Sequence, residues 1–207
     1  MPILNFKEYS LDMPEDVYLP SEDTDLMLAV IKTEISNQNI LFNTAIEIGA
    51  GNGFLSLCVY DFVRTIYSVD INPIVVDYLL RTKKKYNLDK QIILQSDLFS
   101  KIDQNQKFDL IIFNPPYVPS EEISTEKQTS GIDLAVDGGR DGAEIINKFI
   151  DQLFFFLSDS GVCYLLISSL NKQKKIEELL KKNNLFFEIV GSKKLFFEEL
   201  FVLKIKK

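Results

Sequence analysis

The sequence lacks several residue types on which many enzyme classes depend. Its 207 residues include no histidine, only two cysteines, Cys58 and Cys163, and only three arginines, Arg64, Arg81 and Arg140. Without histidine, Ser-His and Cys-His hydrolases, His-ligated metal enzymes and histidine acid–base catalysis are excluded. The two cysteines form no CxxC pair, which argues against a disulfide framework and against a zinc site of the chain's own. If the chain is an enzyme, its reaction must need little proton transfer.

Long apolar runs and an excess of positive charge are also missing. No run of about 18 uncharged apolar residues occurs, and the first residues lack the basic and apolar segments of a secretory signal. The chain has 23 Lys and Arg residues against 30 Asp and Glu residues, so its net charge is 23 − 30 = −7. This negative charge would repel a phosphate backbone. These features predict a reducing, cytoplasmic setting, no membrane association and no strong direct binding of nucleic acid.

What the sequence does have is the alternating pattern of an α/β domain. Short apolar runs alternate with longer stretches of helical period, which predicts a seven-stranded, doubly wound, mostly parallel sheet. The last two runs follow each other too closely for a crossover helix, so they should form an antiparallel C-terminal pair. The predicted strands are Thr44–Ile48, Thr65–Asp70, Ile92–Ser96, Phe108–Asn114, Gly161–Ser168, Leu185–Lys193 and Glu198–Ile205. The predicted helices of this part are Phe54–Val63, Pro73–Tyr86, Gly142–Leu157 and Asn171–Asn183.

The N-terminal part precedes the first strand of this predicted sheet. Residues 1–23 hold three of the seven prolines, which predicts an irregular arm, and a helix should follow over about Ser21–Glu34. No internal repeat or low-complexity linker separates two units. We therefore expect one domain over residues 1–207, made of an arm and helix, 1–35, and a core, 36–207.

Glycine is concentrated in two loops, residues 49–53 and 131–142. Glycine gathered in this way marks backbone that turns sharply or lets a ligand approach. In the first loop, Gly49, Gly51 and Gly53 follow a strand and open a helix, whose N-terminus offers unpaired N–H groups. The GxGxG spacing differs from the GxGxxG loop of dinucleotide-binding folds. It favours a small nucleoside-type ligand, although an ordinary tight turn would give a similar pattern.

Acidic residues stand at the ends of three successive predicted strands. They are Glu47, just before the first glycine loop, Asp70 and Asp97. Ligands of such sheets bind at the carboxyl ends of the strands, where an acid after the second strand can accept from both ribose hydroxyls. Asp97 could accept from an adenine amino group. A single acid at a strand end is usually a cap or turn residue, but three in succession indicate one ligand site.

The fourth predicted strand ends in Asn114-Pro115-Pro116-Tyr117. The two prolines cannot donate hydrogen bonds, which leaves the carbonyl groups of this tetrapeptide free as acceptors. The Asn114 side-chain oxygen and the Pro115 carbonyl could hold the two N–H groups of a planar NH2 group, with its plane near Tyr117. Held in this way, the nitrogen lone pair points at an electrophile. The alternative interpretation is a rigid Pro-Pro turn that ends a strand.

Together these motifs resemble a known family. The order Glu-x-Gly-x-Gly-x-Gly, Asp70, Asp97-Leu98 and Asn-Pro-Pro-Tyr resembles that of S-adenosylmethionine-dependent methyltransferases that act on an amino group. Within that class, the chain resembles the HemK-type protein glutamine methyltransferases, and most of all their short eukaryotic/archaeal branch. The segment Val17–Thr24 and the loop Gly138–Gly142 make this resemblance specific. Leu19 departs from it, because an acid is expected there.

The resemblance implies an activity, a class I (Rossmann-like) methyltransferase fold and roles for single residues. Enzymes of this branch methylate the side-chain amide of the glutamine in the Gly-Gly-Gln motif of the class-I release factor, which terminates translation. The resemblance implies that residues 1–35 close over the cofactor and that no metal takes part. The implied catalytic residues are Asn114, Pro115 and Tyr117. The implied residues for S-adenosylmethionine are Thr24, Glu47, Gly49, Gly51, Asp70, Asp97, Leu98 and Asn114.

Two other functions stay open at this point. The Asn-Pro-Pro-Tyr motif is shared with adenine-N6 methyltransferases of nucleic acids, which usually need a target-recognition region and a basic groove. Neither feature is visible in this acidic chain. The second alternative is a methyltransferase-like module that binds protein partners without catalysis. The intact Gly49, Gly51, Gly53, Asp70 and Asn114 argue against it.

The loop Ser120–Arg140 follows the Asn-Pro-Pro-Tyr motif and is long for a compact domain. It is rich in Ser, Thr, Glu and Gln. We expect it to be mobile without substrate and to line the substrate channel, with Gly138, Gly139 and Gly142 allowing a tight entry into the next helix.

The expected strand order, 3-2-1-4-5-7-6, leaves the strand Gln91–Gln95 at an open edge. The strand is apolar and has no proline or charge, and edges of this kind normally need covering. The resemblance implies a partner, a small zinc-binding activator subunit that would add a strand here. Phe62, Val63 and Ile66 could extend the contact as an apolar surface. The alternative is that residues 1–15 cover the edge.

Overall fold

The structure is a computed structural model, and it describes residues 2–36, 41–120 and 135–207. The strands are β1 (Ile3–Phe6), β2 (Tyr9–Asp12), β3 (Phe42–Ile48), β4 (Val63–Asp70), β5 (Gln91–Gln95), β6 (Phe108–Phe113), β7 (Leu157–Ser168), β8 (Phe186–Lys194) and β9 (Glu199–Lys206). The helices are α1 (Glu22–Ser36), α2 (Phe54–Val59), α3 (Pro73–Tyr86), α4 (Glu144–Phe156) and α5 (Gln173–Lys182). Within these ranges, no helix is long and apolar enough to span a membrane.

The main sheet has the order β5-β4-β3-β6-β7-β9-β8. Strands β3 to β7 pair in parallel, whereas β9 runs antiparallel to both β7 and β8. Counted within this sheet, the order is the predicted 3-2-1-4-5-7-6, so the prediction of a doubly wound sheet with an antiparallel C-terminal pair is confirmed. The carboxyl ends of β3, β4 and β6 therefore meet at one edge.

The central strands β3, β6 and β7 are mostly buried because both faces of the sheet carry helices. Along β6, Leu110 and Ile112 pack in the cluster that includes α1, α2 and α3, whereas Ile111 and Phe113 pack in the cluster of α4 and α5. This alternation follows from the two-residue period of a strand. A strand covered on both faces reads as a continuous apolar run, which is why it could be recognised in the sequence.

Most bounds lie within two residues of the predicted ones, and the two largest differences, of four residues each, have local reasons. Helix α2 ends at Val59 because the chain forms one 3-10 turn, Tyr60–Phe62, and then enters β4. Strand β7 begins at Leu157, which pairs with Phe108 before the register shifts. Neither difference moves the ends of the strands that face the site.

The N-terminal arm was predicted to be irregular, and this prediction is wrong for its first part. Strands β1 and β2 form an antiparallel hairpin with its own two-stranded sheet. Phe6 stacks on Phe54 of α2 with ring centroids 4.6 Å apart, and Tyr9 meets Tyr86 of α3 at 5.1 Å. An isolated hairpin is marginal in water, so these contacts with the helices stabilise it, and local sequence does not reveal them.

The hairpin also bears on the edge strand β5. Because it lies on α2 and α3, the alternative that residues 1–15 cover β5 is wrong. Within the described parts of the chain, β5 pairs with β4 alone. The sequence suggested that Val63 and Ile66 extend an apolar surface beside this edge. This suggestion is wrong, because both side chains are fully buried.

The predicted mobile loop lies mostly outside the described residues, because 121–134 are not among them. The two described ends of the loop are joined by backbone hydrogen bonds. Val118 donates to Val136 at 3.0 Å, and Gly138 donates to Val118 at 2.9 Å. The segment Val136–Gly138 therefore lies beside Val118, the residue directly after the Asn-Pro-Pro-Tyr motif.

Candidate active site

A cavity of about 280 Å³ lies at the carboxyl ends of β3, β4 and β6. This is the edge where open α/β sheets bind their ligands. All ten residues predicted from the sequence as cofactor-binding or catalytic line this one cavity: Thr24, Glu47, Gly49, Gly51, Asp70, Asp97, Leu98, Asn114, Pro115 and Tyr117. The roles of the single residues within it stay predictions.

The glycine loop after β3 requires glycine for its backbone conformation. Gly49, Gly51 and Gly53 have φ angles of 60°, 48° and 76°, in the left-handed region that other residues rarely adopt. At Gly53 a Cβ atom would also lie only 2.8 Å from a methyl carbon of Leu79. The loop therefore turns without side chains, and its backbone forms part of the cavity wall.

Asp70, at the end of β4, is held by two backbone donors. The amide of Gly51 donates to its Oδ2 atom and the amide of Asn72 to its Oδ1 atom, each at 2.9 Å. Burial raises the pKa of this carboxyl above its ordinary value. A carboxylate has about four lone-pair positions, so each oxygen keeps one position for a ligand hydroxyl. The arrangement suits the two hydroxyls of a ribose.

Glu47 is a buried acid and the second-last residue of β3. Its Oε2 atom accepts from the backbone amide of Ser56 at 2.8 Å and from the Ser56 hydroxyl. Burial raises the pKa of Glu47 to about 8. A cation in the cavity would reverse this effect, because an opposite charge favours the ionised carboxylate. The position therefore suits a positively charged amino group of a ligand.

The turn after β5 holds a strained residue. Leu98 has a φ angle of 47°, and its carbonyl accepts from the Ser96 hydroxyl at 2.9 Å. A non-glycine residue in this region costs on the order of 1–3 kcal/mol, which the surrounding structure must offset. The conformation directs the buried Leu98 side chain and the neighbouring Asp97 to the cavity lining, where Ile71 provides another apolar group. Apolar walls and one acid suit a planar base with an amino group.

The Asn114 amide is oriented by an acid 91 residues earlier in the chain. Its Nδ2 atom donates to Asp23 Oδ2 at 2.9 Å. Because a carboxylate only accepts, this contact leaves the Asn114 Oδ1 atom as the acceptor on the other side. Among the described residues, that atom is buried and has no hydrogen-bond partner. An unpaired buried acceptor costs about 1–3 kcal/mol, so the cavity wall offers a fixed acceptor for an N–H group.

Asp23 connects the N-terminal helix with the cavity. It is only 4% exposed and also accepts from the Thr24 amide at 2.6 Å and from the Tyr18 hydroxyl at 3.4 Å. Sequence reasoning placed Asp23 in a motif but gave it no role. A second missed residue is Asn52, whose Nδ2 atom donates to the Tyr18 carbonyl at 3.1 Å and so ties the arm to the glycine loop. An asparagine inside a glycine-rich loop was the available signal.

The second glycine loop packs against the Asn-Pro-Pro-Tyr segment. Asn171 donates through Nδ2 to the carbonyls of Tyr117, at 2.6 Å, and of Gly142, at 2.9 Å. The prediction that all carbonyls of the tetrapeptide are free is therefore wrong for Tyr117. Gly142 has a φ angle of 69°, and a Cβ atom there would lie 2.4 Å from the Tyr117 carbonyl oxygen. This close approach explains the glycine.

Tyr117 itself is a neutral group of the site. Burial, followed by the charge of Asp23, raises the pKa of its phenol far above the ordinary value. The side chain is therefore a phenol and not a phenolate, and it cannot serve as a general base near neutral pH. It supplies an aromatic surface beside Asn114.

Comparisons with known proteins agree with this geometry. Residues 22–137, more than half of the chain, match the family described as "Methyltransferase small domain". The protein MJ0928 of Methanocaldococcus jannaschii, assigned by name to the protein N5-glutamine methyltransferases, is 37% identical over 202 residues, which cover 97% of each chain. Methyltransferase HEMK2 of Homo sapiens is 30% identical over 201 residues, covering 93% of this chain and 90% of its own.

Two further comparisons concern proteins described as eRF1 methyltransferases. The eRF1 methyltransferase catalytic subunit mtq2 of Schizosaccharomyces pombe is 28% identical over 226 residues, covering 98% of this chain and 92% of its own. A chain from the E. cuniculi Mtq2–Trm112 complex, described as methylating the eRF1 translation termination factor, superposes with a TM-score of 0.70. It is 24% identical and covers 93% of this chain and 99% of its own, and this similarity shows the shared fold.

The fold and the cavity thus define a class I methyltransferase whose cofactor is S-adenosylmethionine. The cavity offers glycine backbone, buried acids and apolar walls, which suit the polar and apolar parts of this cofactor. Within that class, the chain belongs to the HemK-type protein glutamine N5-methyltransferases, in their short eukaryotic/archaeal branch.

Proposed function

We propose that this protein methylates the side-chain amide nitrogen of the glutamine in the Gly-Gly-Gln motif of the class-I release factor. One observation supports the amide most directly. Asn114 Oδ1 is a buried acceptor without a partner, fixed in orientation by Asp23, and so it needs an N–H donor. The names of the relatives support the release factor as the carrier of that donor.

We assign the cofactor to the wall built by β3, β4 and the turn after β5. Asp70 accepts from the ribose hydroxyls, Asp97 from the adenine amino group, and Glu47 from the amino group of the methionine part. Gly49 and Gly51 let the ligand approach the backbone. Thr24 closes over the methionine end.

The protein's own residues do little proton chemistry in this proposal. Bound S-adenosylmethionine would supply an electrophilic methyl group on a sulfonium, with the neutral thioether as leaving group. Asn114 Oδ1 and the Pro115 carbonyl each accept one N–H of the glutamine amide, which turns the nitrogen lone pair toward the methyl carbon. The nitrogen forms the new bond to carbon and then releases one proton to water. No histidine is needed.

The domain arrangement predicted from the sequence fits this role. We propose that residues 1–207 act as one domain in which residues 1–35 close over the cofactor. Tyr18, Asp23 and Thr24 line the cavity from that side, which supports the proposal. We also propose a cytoplasmic location, since translation factors are found there.

The orientation of Asn114 by Asp23 gives a first testable prediction. We expect Asp23→Ala to lower kcat by about 10- to 150-fold, because hydrogen bonds to charged groups contribute about 1.5–3 kcal/mol. Asp23→Asn should restore much of the loss, since its oxygen can still accept from Asn114. The cofactor affinity of both variants should stay within a few-fold of the wild type in calorimetry. A wild-type kcat in Asp23→Ala would remove this residue from the account.

The proposed function is tested by offering the enzyme two kinds of substrate. The protein co-expressed with its proposed small subunit, labelled S-adenosylmethionine and a class-I release factor should yield a labelled factor. Single-stranded and double-stranded DNA and RNA in parallel reactions should stay unlabelled. Label on nucleic acid and none on the factor would favour the adenine-N6 alternative.

The open edge of β5 supports a proposal about a partner. We propose that a small zinc-binding subunit adds a strand to β5, since the edge is apolar and unpaired in the described structure. The superposed E. cuniculi chain is part of a complex with Trm112. Strand addition would give backbone hydrogen bonds, and the partly exposed side chains of Ile92, Ile93 and Leu94 would add burial.

The register of β5 gives this partner proposal a sharp test. Lys90 accepts from Ile66 and Ser96 donates to Asp70, so the even-numbered residues of this segment bond to β4. In a parallel ladder the backbone groups of the residues between them, including Ile93, face the open edge.

We therefore expect Ile93→Pro to abolish the complex with the small subunit while cofactor binding persists. The change removes an N–H group that β4 does not use. Co-purification and a thermal shift with S-adenosylmethionine measure the two properties. Ile93→Ala, which keeps the N–H group but loses the same packing, is the matched control and should retain the subunit. Retention of the subunit by Ile93→Pro would contradict strand addition at β5.

A further inference from the structure

Two phenylalanines project from the turn between β8 and β9. This turn, Leu195–Glu198, is called the hairpin tip here. Phe196 and Phe197 are 92% and 88% exposed, the highest values among the large apolar side chains described. The amide of Leu195 donates to the carbonyl of Glu198 at 2.8 Å, which closes the turn. Scattered apolar residues are normal on a surface, but an adjacent pair of exposed aromatic rings marks a contact site.

The hairpin tip lies at the same edge of the sheet as the cavity. Ser169, just after the carboxyl end of β7, donates to the carbonyl of Glu199 at 2.8 Å. Asn171, two residues further along, holds the Tyr117 carbonyl. After burial and Asp23, the charge of Glu198 also contributes to the raised pKa of Tyr117. These links place the hairpin tip beside the Asn-Pro-Pro-Tyr segment of the active site.

The support of the hairpin tip is rigid, which matters for binding. Strand β9 pairs with β7 on one side and β8 on the other, and Leu195 packs against the core. The two rings also pack on each other, with centroids 4.6 Å apart and an edge-to-face angle of 79°. Rings held in this way lose little freedom when a partner covers them, so their burial contributes to affinity.

We propose that the hairpin tip is a docking point for the protein that carries the target glutamine, and that an apolar depression of that protein covers Phe196 and Phe197. The inference rests on the proposed function. A Gly-Gly-Gln motif offers one side chain, and the cavity recognises only its amide. The remaining affinity must come from the surface around the cavity mouth, and exposed aromatic residues are frequent binding hot spots.

The small subunit proposed for β5 does not reach this surface. Strands β5 and β8 are the two opposite edges of the sheet, six strand spacings apart. At about 4.8 Å for each spacing, that separation is roughly 29 Å. The hairpin tip therefore stays available when β5 is covered.

The test compares two substrates with three proteins, each co-expressed with the small subunit proposed for β5 and purified in the same way. The substrates are a full-length class-I release factor and a short peptide centred on Gly-Gly-Gln. The proteins are the wild type, the double variant Phe196→Ser/Phe197→Ser and the control Phe186→Ser. Phe186 is also exposed, by 74%, but it is the first residue of β8. The length of the strand, roughly 27 Å, separates it from the end of β8 that leads into the hairpin tip.

We expect the double variant to raise KM for the full-length factor about 10- to 100-fold. Its kcat, its cofactor affinity and its kcat/KM for the short peptide should match the wild type, and Phe186→Ser should match it throughout. An unchanged KM for the factor overturns this inference and leaves the proposed function intact. The same conclusion holds if the wild type is a dimer, the double variant is a monomer and the KM is unchanged. An equal loss with the peptide overturns it too, because the rings would then act on the cavity. No methylation of either substrate by the wild type overturns both proposals.

Discussion

Replacing Asn114 with alanine should lower kcat for methyl transfer by about 100- to 1000-fold. Removal of one polar group that is aimed at a transition state typically raises the activation free energy by roughly 2.7–4 kcal/mol, which corresponds to this range. The change deletes the Oδ1 acceptor that we assign to the glutamine amide. It leaves in place the glycine loop, Asp70 and Glu47. The cofactor dissociation constant should therefore change only a few-fold.

Single-turnover kinetics separates this chemical step from product release, and calorimetry measures cofactor binding. The Asp23→Ala variant provides a graded comparison, because it disorients the amide without deleting the acceptor, and its loss should be smaller. Turnover of Asn114→Ala within a few-fold of the wild type would remove Asn114 from the mechanism.

Replacing Asp70 with alanine should have the opposite pattern, a loss of cofactor binding. Two hydroxyl hydrogen bonds to a charged acceptor would disappear, each of which contributes about 1.5–3 kcal/mol, so the dissociation constant should rise by about 100- to 10,000-fold. The same change frees the amides of Gly51 and Asn72, which loosens the glycine loop.

The control for this prediction is Asp70→Asn, whose single acceptor oxygen keeps part of the interaction and nearly the same volume. It should bind the cofactor with intermediate affinity in calorimetry. The KM of Asp70→Ala for the release factor, measured with saturating cofactor, should match the wild type. An unchanged cofactor dissociation constant in Asp70→Ala would rule out its assignment to the ribose.

The central strands could be predicted because they are buried on both faces and therefore read as apolar runs. Ile111 and Phe113 pack on one side of β6 and Leu110 and Ile112 on the other, so residues 110–113 have no polar interruption. The N-terminal hairpin could not be predicted in this way. Its strands have only four residues each, and their partners lie on α2 and α3, far along the chain.

A similar distinction applies to the site. Short motifs sit at the ends of parallel strands, and the sheet topology alone brings such ends together, which is why the ten residues line one cavity. The contacts that orient the motifs were not predictable. Asp23 and Asn114 are 91 residues apart, and Asn171 and Tyr117 are 54 apart. No local pattern links such pairs, and only the folded chain reveals them.

The most direct test of the central claim is tandem mass spectrometry of a class-I release factor after incubation with the protein and S-adenosylmethionine. The account predicts a mass increase of one methyl group on the glutamine of Gly-Gly-Gln. The increase should form at least 100-fold more slowly with Asn114→Ala and should be absent from a factor in which that glutamine is replaced by asparagine. A factor that gains no methyl group with the active protein, or gains it on another residue while this glutamine stays unmodified, would contradict the account.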